Sequence, residues 1–131
     1  MRGVLRFGVG AVLGFEALLS SGQTPPIAEF VCDVQVSHVR ERLVVKPNPD
    51  VYAVSKVEIN GNFRFAAQYL PLLNLFKTYT YDHSKGRFVL LAEQEFTPTA
   101  DNCAKTLGVH RVYGSPNERE FSFQCQVVCS P

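Results

Sequence analysis

The chain has 131 residues, and its 13 basic and 12 acidic side chains leave a formal net charge of +1. That length suits one domain rather than two. The charge balance excludes a binder held to nucleic acid by bulk positive charge, which would show a large basic surplus.

The chain opens with the marks of a secretory leader. Arg2 and Arg6 supply a positive start, and an apolar run from Phe7 to Leu19 follows, interrupted by glycines and Glu16. Ser20, Ser21 and Gly22 then offer small residues for cleavage. The run is shorter than the ~20 apolar residues a bilayer span takes. We therefore expect a signal peptide over 1–22, a mature domain over 23–131 and no membrane partner. A domain of about 109 residues has limited apolar area to bury. The four cysteines, Cys32, Cys103, Cys125 and Cys129, all fall in it. In an oxidising compartment an even number reads as two disulfides with three connectivities. A zinc site would need paired short spacings, and only Cys125 and Cys129 are close, so neither metal nor cofactor is expected.

Within the mature part, Phe30, Cys32, Val34 and Val36 alternate with Val31, Asp33 and Gln35, which is the period of a strand. Ser37-His38 reads as a turn and Val39–Val45 as the return strand. Arg40, Arg42 and Lys46 gather basic charge there, with Glu41 interposed. Asn48-Pro49-Asp50 resembles a helix start, Val51, Val54 and Val57 recur every three residues, and Gly61 resembles a stop. That pattern predicts a helix of about three turns between Asn48 and Gly61. Asn62–Tyr69 reads as strand or irregular, with Pro71 ending regular structure. Leu75–Asp82 reads as an aromatic, β-branched strand. Asp82–Gly86 reads as a hairpin turn, and Arg87–Glu95 as its partner with Phe88–Leu91 buried. A polar loop over 96–105 holds Cys103. Thr106–Tyr113 and Glu120–Val128 are the last two strands, around a polar loop at 114–119. The expected fold is α+β, an N-terminal β-hairpin and one α-helix packed on an antiparallel sheet.

The motif Phe30-Val31-Cys32, the segment from Gly108 to Gly114 and the ending Phe121-Ser122-Phe123-Gln124-Cys125 resemble the secreted ribonuclease-like effectors of powdery-mildew fungi, which carry the fold of microbial guanyl-specific ribonucleases. Active members of that fold use a glutamate base, a histidine acid and an arginine around the scissile phosphate. Laid over the motif, the acid falls on Val112, the base on Thr80 and the arginine near Thr97. The Tyr-Pro-His signature falls on Tyr69-Leu70-Pro71-Leu72 without its histidine. The resemblance therefore implies no catalytic residue: a pseudo-ribonuclease, monomeric and secreted, that reaches the host cell and binds host protein or host RNA, with a plant immune receptor among its partners.

The candidate binding residues are His110, Tyr79, Tyr81, Tyr113, Asn117 and Arg119. The tyrosines offer stacking faces, and Asn117 and Arg119 belong to a loop suited to partner contact. Two rival readings stand beside this one. One is an active ribonuclease using His110 with Glu93 or Glu95, and the other is a disulfide-bonded extracellular inhibitor or binding module. For the disulfides, Cys32 with Cys125 would tie the first strand to the last and leave Cys103 with Cys129. Cys32 with Cys129 satisfies the same pattern.

Overall fold

The computed structural model describes residues 26–114 and 118–131. The expected leader and Asn117 lie outside them. Among the described residues, alternating apolar side chains build eight strands: β1 Ile27–Val36, β2 Val39–Val45, β3 Ser55–Ile59, β4 Phe63–Leu70, β5 Leu75–Ser84, β6 Arg87–Phe96, β7 Thr106–Gly114 and β8 Arg119–Cys129. All pairings between strands are antiparallel, in two four-stranded sheets ordered β2-β1-β8-β7 and β3-β4-β5-β6. Every neighbour in this order is also a neighbour in sequence except β8 and β1. The chain is thus a meander whose last strand returns to pair with its first.

The expected α+β class is overturned. Among the described residues the only helical element is a single 3-10 turn at Ala100–Asn102, and no α-helix lies over 48–61. The residues that resemble a helix cap make turns instead. Asn48 Oδ1 accepts from the Asp50 amide at 2.9 Å, and Asp50 Oδ1 accepts from the Tyr52 amide at 2.9 Å. Asn and Asp side chains satisfy both arrangements, so the signature alone does not distinguish them. The valine spacing of three is divided between two elements. Val51 and Val54 are exposed in the connection, whereas Val57 lies on the inward face of β3. Asn60-Gly61, read as a helix stop, is the β3–β4 hairpin turn, with both residues left-handed at φ 57° and 66°.

The two sheets pack face to face around one core. Phe30, Cys32, Val34, Val36, Phe121, Phe123, Cys125 and Val127 come from one sheet, and Ile59, Phe63, Phe65, Ala67, Tyr69 and Phe76 from the other. Aromatic contacts join the layers: Phe30 stacks on Phe76 with ring centroids 3.9 Å apart, and Phe65 meets Phe123 at 4.8 Å. Each such pair contributes roughly 0.5–1.5 kcal/mol beyond its area. A further tie is polar, since Arg119 of β8 reaches Asp82 of β5 at 3.6 Å with the carboxylate buried. The expectation that Phe88–Leu91 is buried fails for Val89, Leu90 and Leu91, which are exposed. β6 is an edge strand, and a bulge between its pairings to Thr80 and Tyr81 breaks the inward alternation there.

Two disulfides hold the meander closed. Cys32 and Cys125 sit directly opposite each other in β1 and β8 and are bonded, spanning 93 residues of sequence. Cys103 and Cys129 form the other bond, 26 residues apart. It fixes the β6–β7 connection against the end of β8, where the Ala104 amide donates to the Val127 carbonyl at 2.8 Å.

A double variant Cys32→Ala, Cys125→Ala is expected to lose about 4 kcal/mol of unfolding free energy, as the chain-entropy model gives for a loop of this length. Urea unfolding of variant and parent, both with Cys103–Cys129 oxidised, measures it, and a loss below about 1 kcal/mol would contradict the closing role assigned to this bond. At the other end of the sandwich a Cβ on Gly114 would lie 2.9 Å from two Phe63 ring carbons and 3.2 Å from Asp82 Cγ. Gly114→Ala should therefore cost about 1–3 kcal/mol through overpacking, and Phe63→Leu in the same chain should recover part of that, giving a non-additive cycle.

Candidate binding face

Because side chains alternate across a strand, the sheet that buries Phe30, Cys32, Val34 and Val36 turns Val31, Asp33 and Gln35 outward. Register then assembles rows across four strands. Arg40 of β2 pairs with Gln35 of β1, Gln35 with Ser122 of β8, and Ser122 with Arg111 of β7. The next row runs Arg42, Asp33, Gln124 and Val109. These two rows make a mostly polar patch, with arginines at both ends of one row and Val109 at the end of the other, and Val31 and Val44 share the face in the row beyond. Asp33, Gln35, Arg40, Arg111, Ser122 and Gln124 line a shallow groove of about 320 Å³ on it.

The arginines are held in different ways. Arg42 Nε donates to Asp33 Oδ1 at 2.9 Å, which raises its pKa above the ordinary arginine value through that hydrogen bond. Arg111 Nε lies 3.0 Å from Glu120 Oε1. Both are anchored through Nε, and both side chains remain more than half exposed. Arg40 makes no ion pair with any described residue. Glu41, which sits between Arg40 and Arg42 in sequence, is on the other face of β2, so it does not divide them.

The residues singled out from sequence are spread over three places. Tyr113 is exposed on this outer face, beside Glu120 in register. His110 points into the sandwich, stacked on Phe123 at 5.0 Å and edge-on to Phe96 at 5.3 Å, and its Nε2 has no hydrogen-bond partner among the described residues. Arg119 reaches the buried Asp82 and lies over the Phe63 ring. Tyr79 and Tyr81 stand on the outer face of the other sheet, where Gln68 and the Tyr79 hydroxyl are 2.8 Å apart and Lys77 bridges Glu93 and Glu95 at 2.8 and 3.6 Å. Of the positions taken from the ribonuclease resemblance, Thr80 is buried in β5 and Val112 is on the inward face of β7. His110 therefore faces the core while Glu93 and Glu95 face solvent from the other sheet.

Arg111 and Gln124 were not singled out from the sequence. The signal that could have found them is parity: residues two apart from Arg111 and Ser122 share their face, but which strands become neighbours is a long-range fact. Among the described residues no group of three or more His, Cys, Asp or Glu is placed to hold a metal ion. No helix among them is long and apolar enough to cross a membrane. The disulfides are compatible with a secreted protein. No protein-family model, curated protein or solved structure matches the chain.

On the opposite sheet, Lys77 is held charged above the usual lysine range, first by its hydrogen bond to Glu93 and against the opposing effect of burial. A raised folded value means that this stabilisation is complete below the unfolded lysine value, about 10.4, and is lost as pH rises through the folded value. Lys77→Met should lower unfolding free energy by about 1 kcal/mol at pH 7. The gap to the parent should narrow above about pH 10.4. Urea titrations at several pH values report it, and a gap that is flat to the alkaline limit would refute the assignment.

Proposed function

We propose that this chain is an extracellular binding module that works without catalysis, and that the outer face of the β2-β1-β8-β7 sheet is its contact surface. The observation that carries the reading is the in-register row Arg40, Gln35, Ser122 and Arg111. The inner faces of both sheets are occupied by the core. The polar rows of this sheet's outer face place donors and acceptors from four strands on a common support, which is where a site gains most from preorganisation.

Two supports favour binding over cleavage. The acid–base partners of the rival ribonuclease reading, His110 with Glu93 or Glu95, sit on different sheets, one facing the core and the others facing solvent. A general acid and base must reach one substrate together. The helix-bearing fold implied by the ribonuclease resemblance is also not the fold of this chain, so the host-directed partners named by that resemblance rest on short motifs alone. The working compartment in this reading is oxidising, because the reducing cytosol would open Cys32–Cys125 and Cys103–Cys129.

The test is to express the full chain with its own N-terminus in a secreting eukaryotic host and analyse the product in the medium. The expected product begins near residue 23, contains two disulfides by mass spectrometry, and cleaves RNA no faster than a buffer blank, with His110→Ala making no difference. Retention of the chain inside the cell, or RNA cleavage that His110→Ala removes, would sink the reading.

A further inference from the structure

We infer that the groove between Arg40 and Arg111 takes a carboxylate-bearing polysaccharide, a chain of acidic sugars laid across the four strands. This rests on the binding face proposed above and names its ligand. Three features of the groove carry it.

The first is exposed positive charge, of which one cation has no ion-pair partner among the described residues. Asp33 and Glu120 each hold one arginine through its Nε, at 2.9 and 3.0 Å. Arg111, which lines the groove, is tethered this way with more than half of its side chain exposed, Arg42 stands beside the groove, and Arg40 adds a groove cation with no ion-pair partner among the described residues. A guanidinium fork matches the two oxygens of a carboxylate, and an arginine already tethered, as Arg111 is, loses less entropy on binding it.

The second is what lies between the charges. Three strand spacings of ~4.8 Å separate the backbones of Arg40 and Arg111, about 14 Å in all. Gln35 and Ser122 fill that interval, and Gln124 flanks it in the next row. Gln35 Nε2 donates to the Ser37 carbonyl at 2.9 Å, and its Oε1 and second amide hydrogen are left to accept from and donate to a ligand. An amide acceptor and a serine hydroxyl in the middle, with guanidinium donors at the ends, match a ligand that alternates hydroxyls with carboxylates. A compact anion would occupy one end and leave the other empty.

The third feature separates an acidic glycan from single-stranded RNA. RNA-binding grooves combine several uncompensated cations with aromatic platforms on which bases stack. On this face the carboxylates of Asp33 and Glu120 partly offset the arginines, and Tyr113 is its one aromatic side chain among the described residues. Tyr79 and Tyr81, the other candidate platforms, belong to the opposite sheet.

Affinity electrophoresis of the full oxidised chain through gels containing polygalacturonate tests the inference. Parallel gels contain fully methyl-esterified polygalacturonate, a neutral glucan, or single-stranded RNA. Retardation is expected in polygalacturonate alone. Arg40→Gln and Arg111→Gln should each weaken it about tenfold or more, as loss of a hydrogen bond to a charged group does. Arg64→Gln, on the other sheet, should leave it unchanged. No retardation in polygalacturonate, retardation that esterification does not remove, or retardation indifferent to Arg40 and Arg111 would overturn the inference. RNA retardation that depends on the same two arginines would also overturn it, while keeping the face as the binding surface. The secretion and RNA-cleavage outcomes that decide the binding-module reading are read from a separate experiment, so the two can fail independently.

Discussion

The pairing of the first strand with the last is the constraint on which the rest of this structure depends. β1 and β8 lie side by side through nearly their whole length, and Cys32 and Cys125 fasten them at directly opposed positions. Without that pairing, β1-β2 and β7-β8 would be two hairpins at opposite ends of the chain, each too small to be stable alone. With it, they become one four-stranded sheet with an inner face wide enough to cover the Phe63, Phe65 and Phe76 layer of the other. The loop-closure cost of joining residues so far apart is large. The disulfide removes much of it from the unfolded ensemble, which is why a domain of this size can afford so distant a contact.

The same pairing creates the candidate binding face. Arg40 belongs to the second strand and Arg111 to the seventh, and they come to lie on one row only because β8 joins β1. Their setting is then fixed by parity. Phe123 and Val34 are pulled into the core, so Ser122, Gln124, Asp33 and Gln35 have no alternative to facing outward. Core and face are two consequences of one alternation, and a one-residue slip of β8 against β1 would exchange them.

This explains what could be read along the chain and what could not. β1, β2, β5, β6, β7 and β8 are legible within a few residues because the signals that mark them are local. The helix expected at 48–61 failed because its evidence was also local but ambiguous. Asn48 and Asp50 accept backbone amides two residues on as readily as they cap a helix. Asn60-Gly61 serves a hairpin as well as it stops a helix. β-branched valines at 51, 54 and 57 carried the decisive hint toward strand and connection. The exposure of Val89, Leu90 and Leu91 depends on β6 being an edge strand with a bulge, which only the assembled sheet decides.

The candidate site shows the same division in one residue. In sequence, Glu41 stands between Arg40 and Arg42 and makes the cluster look neutralised. In a strand the three residues do not share a face, so Glu41 leaves while the arginines stay together. Charge read along the chain therefore understates charge presented by a strand whenever opposite signs alternate. His110 illustrates the converse. A polar residue in a strand invites a functional reading, yet its parity places it between Phe96 and Phe123, and Arg111, one residue later, is the one that meets solvent. Where the described residues lie almost wholly in strands, the face a residue shares is more informative about function than its neighbours in sequence.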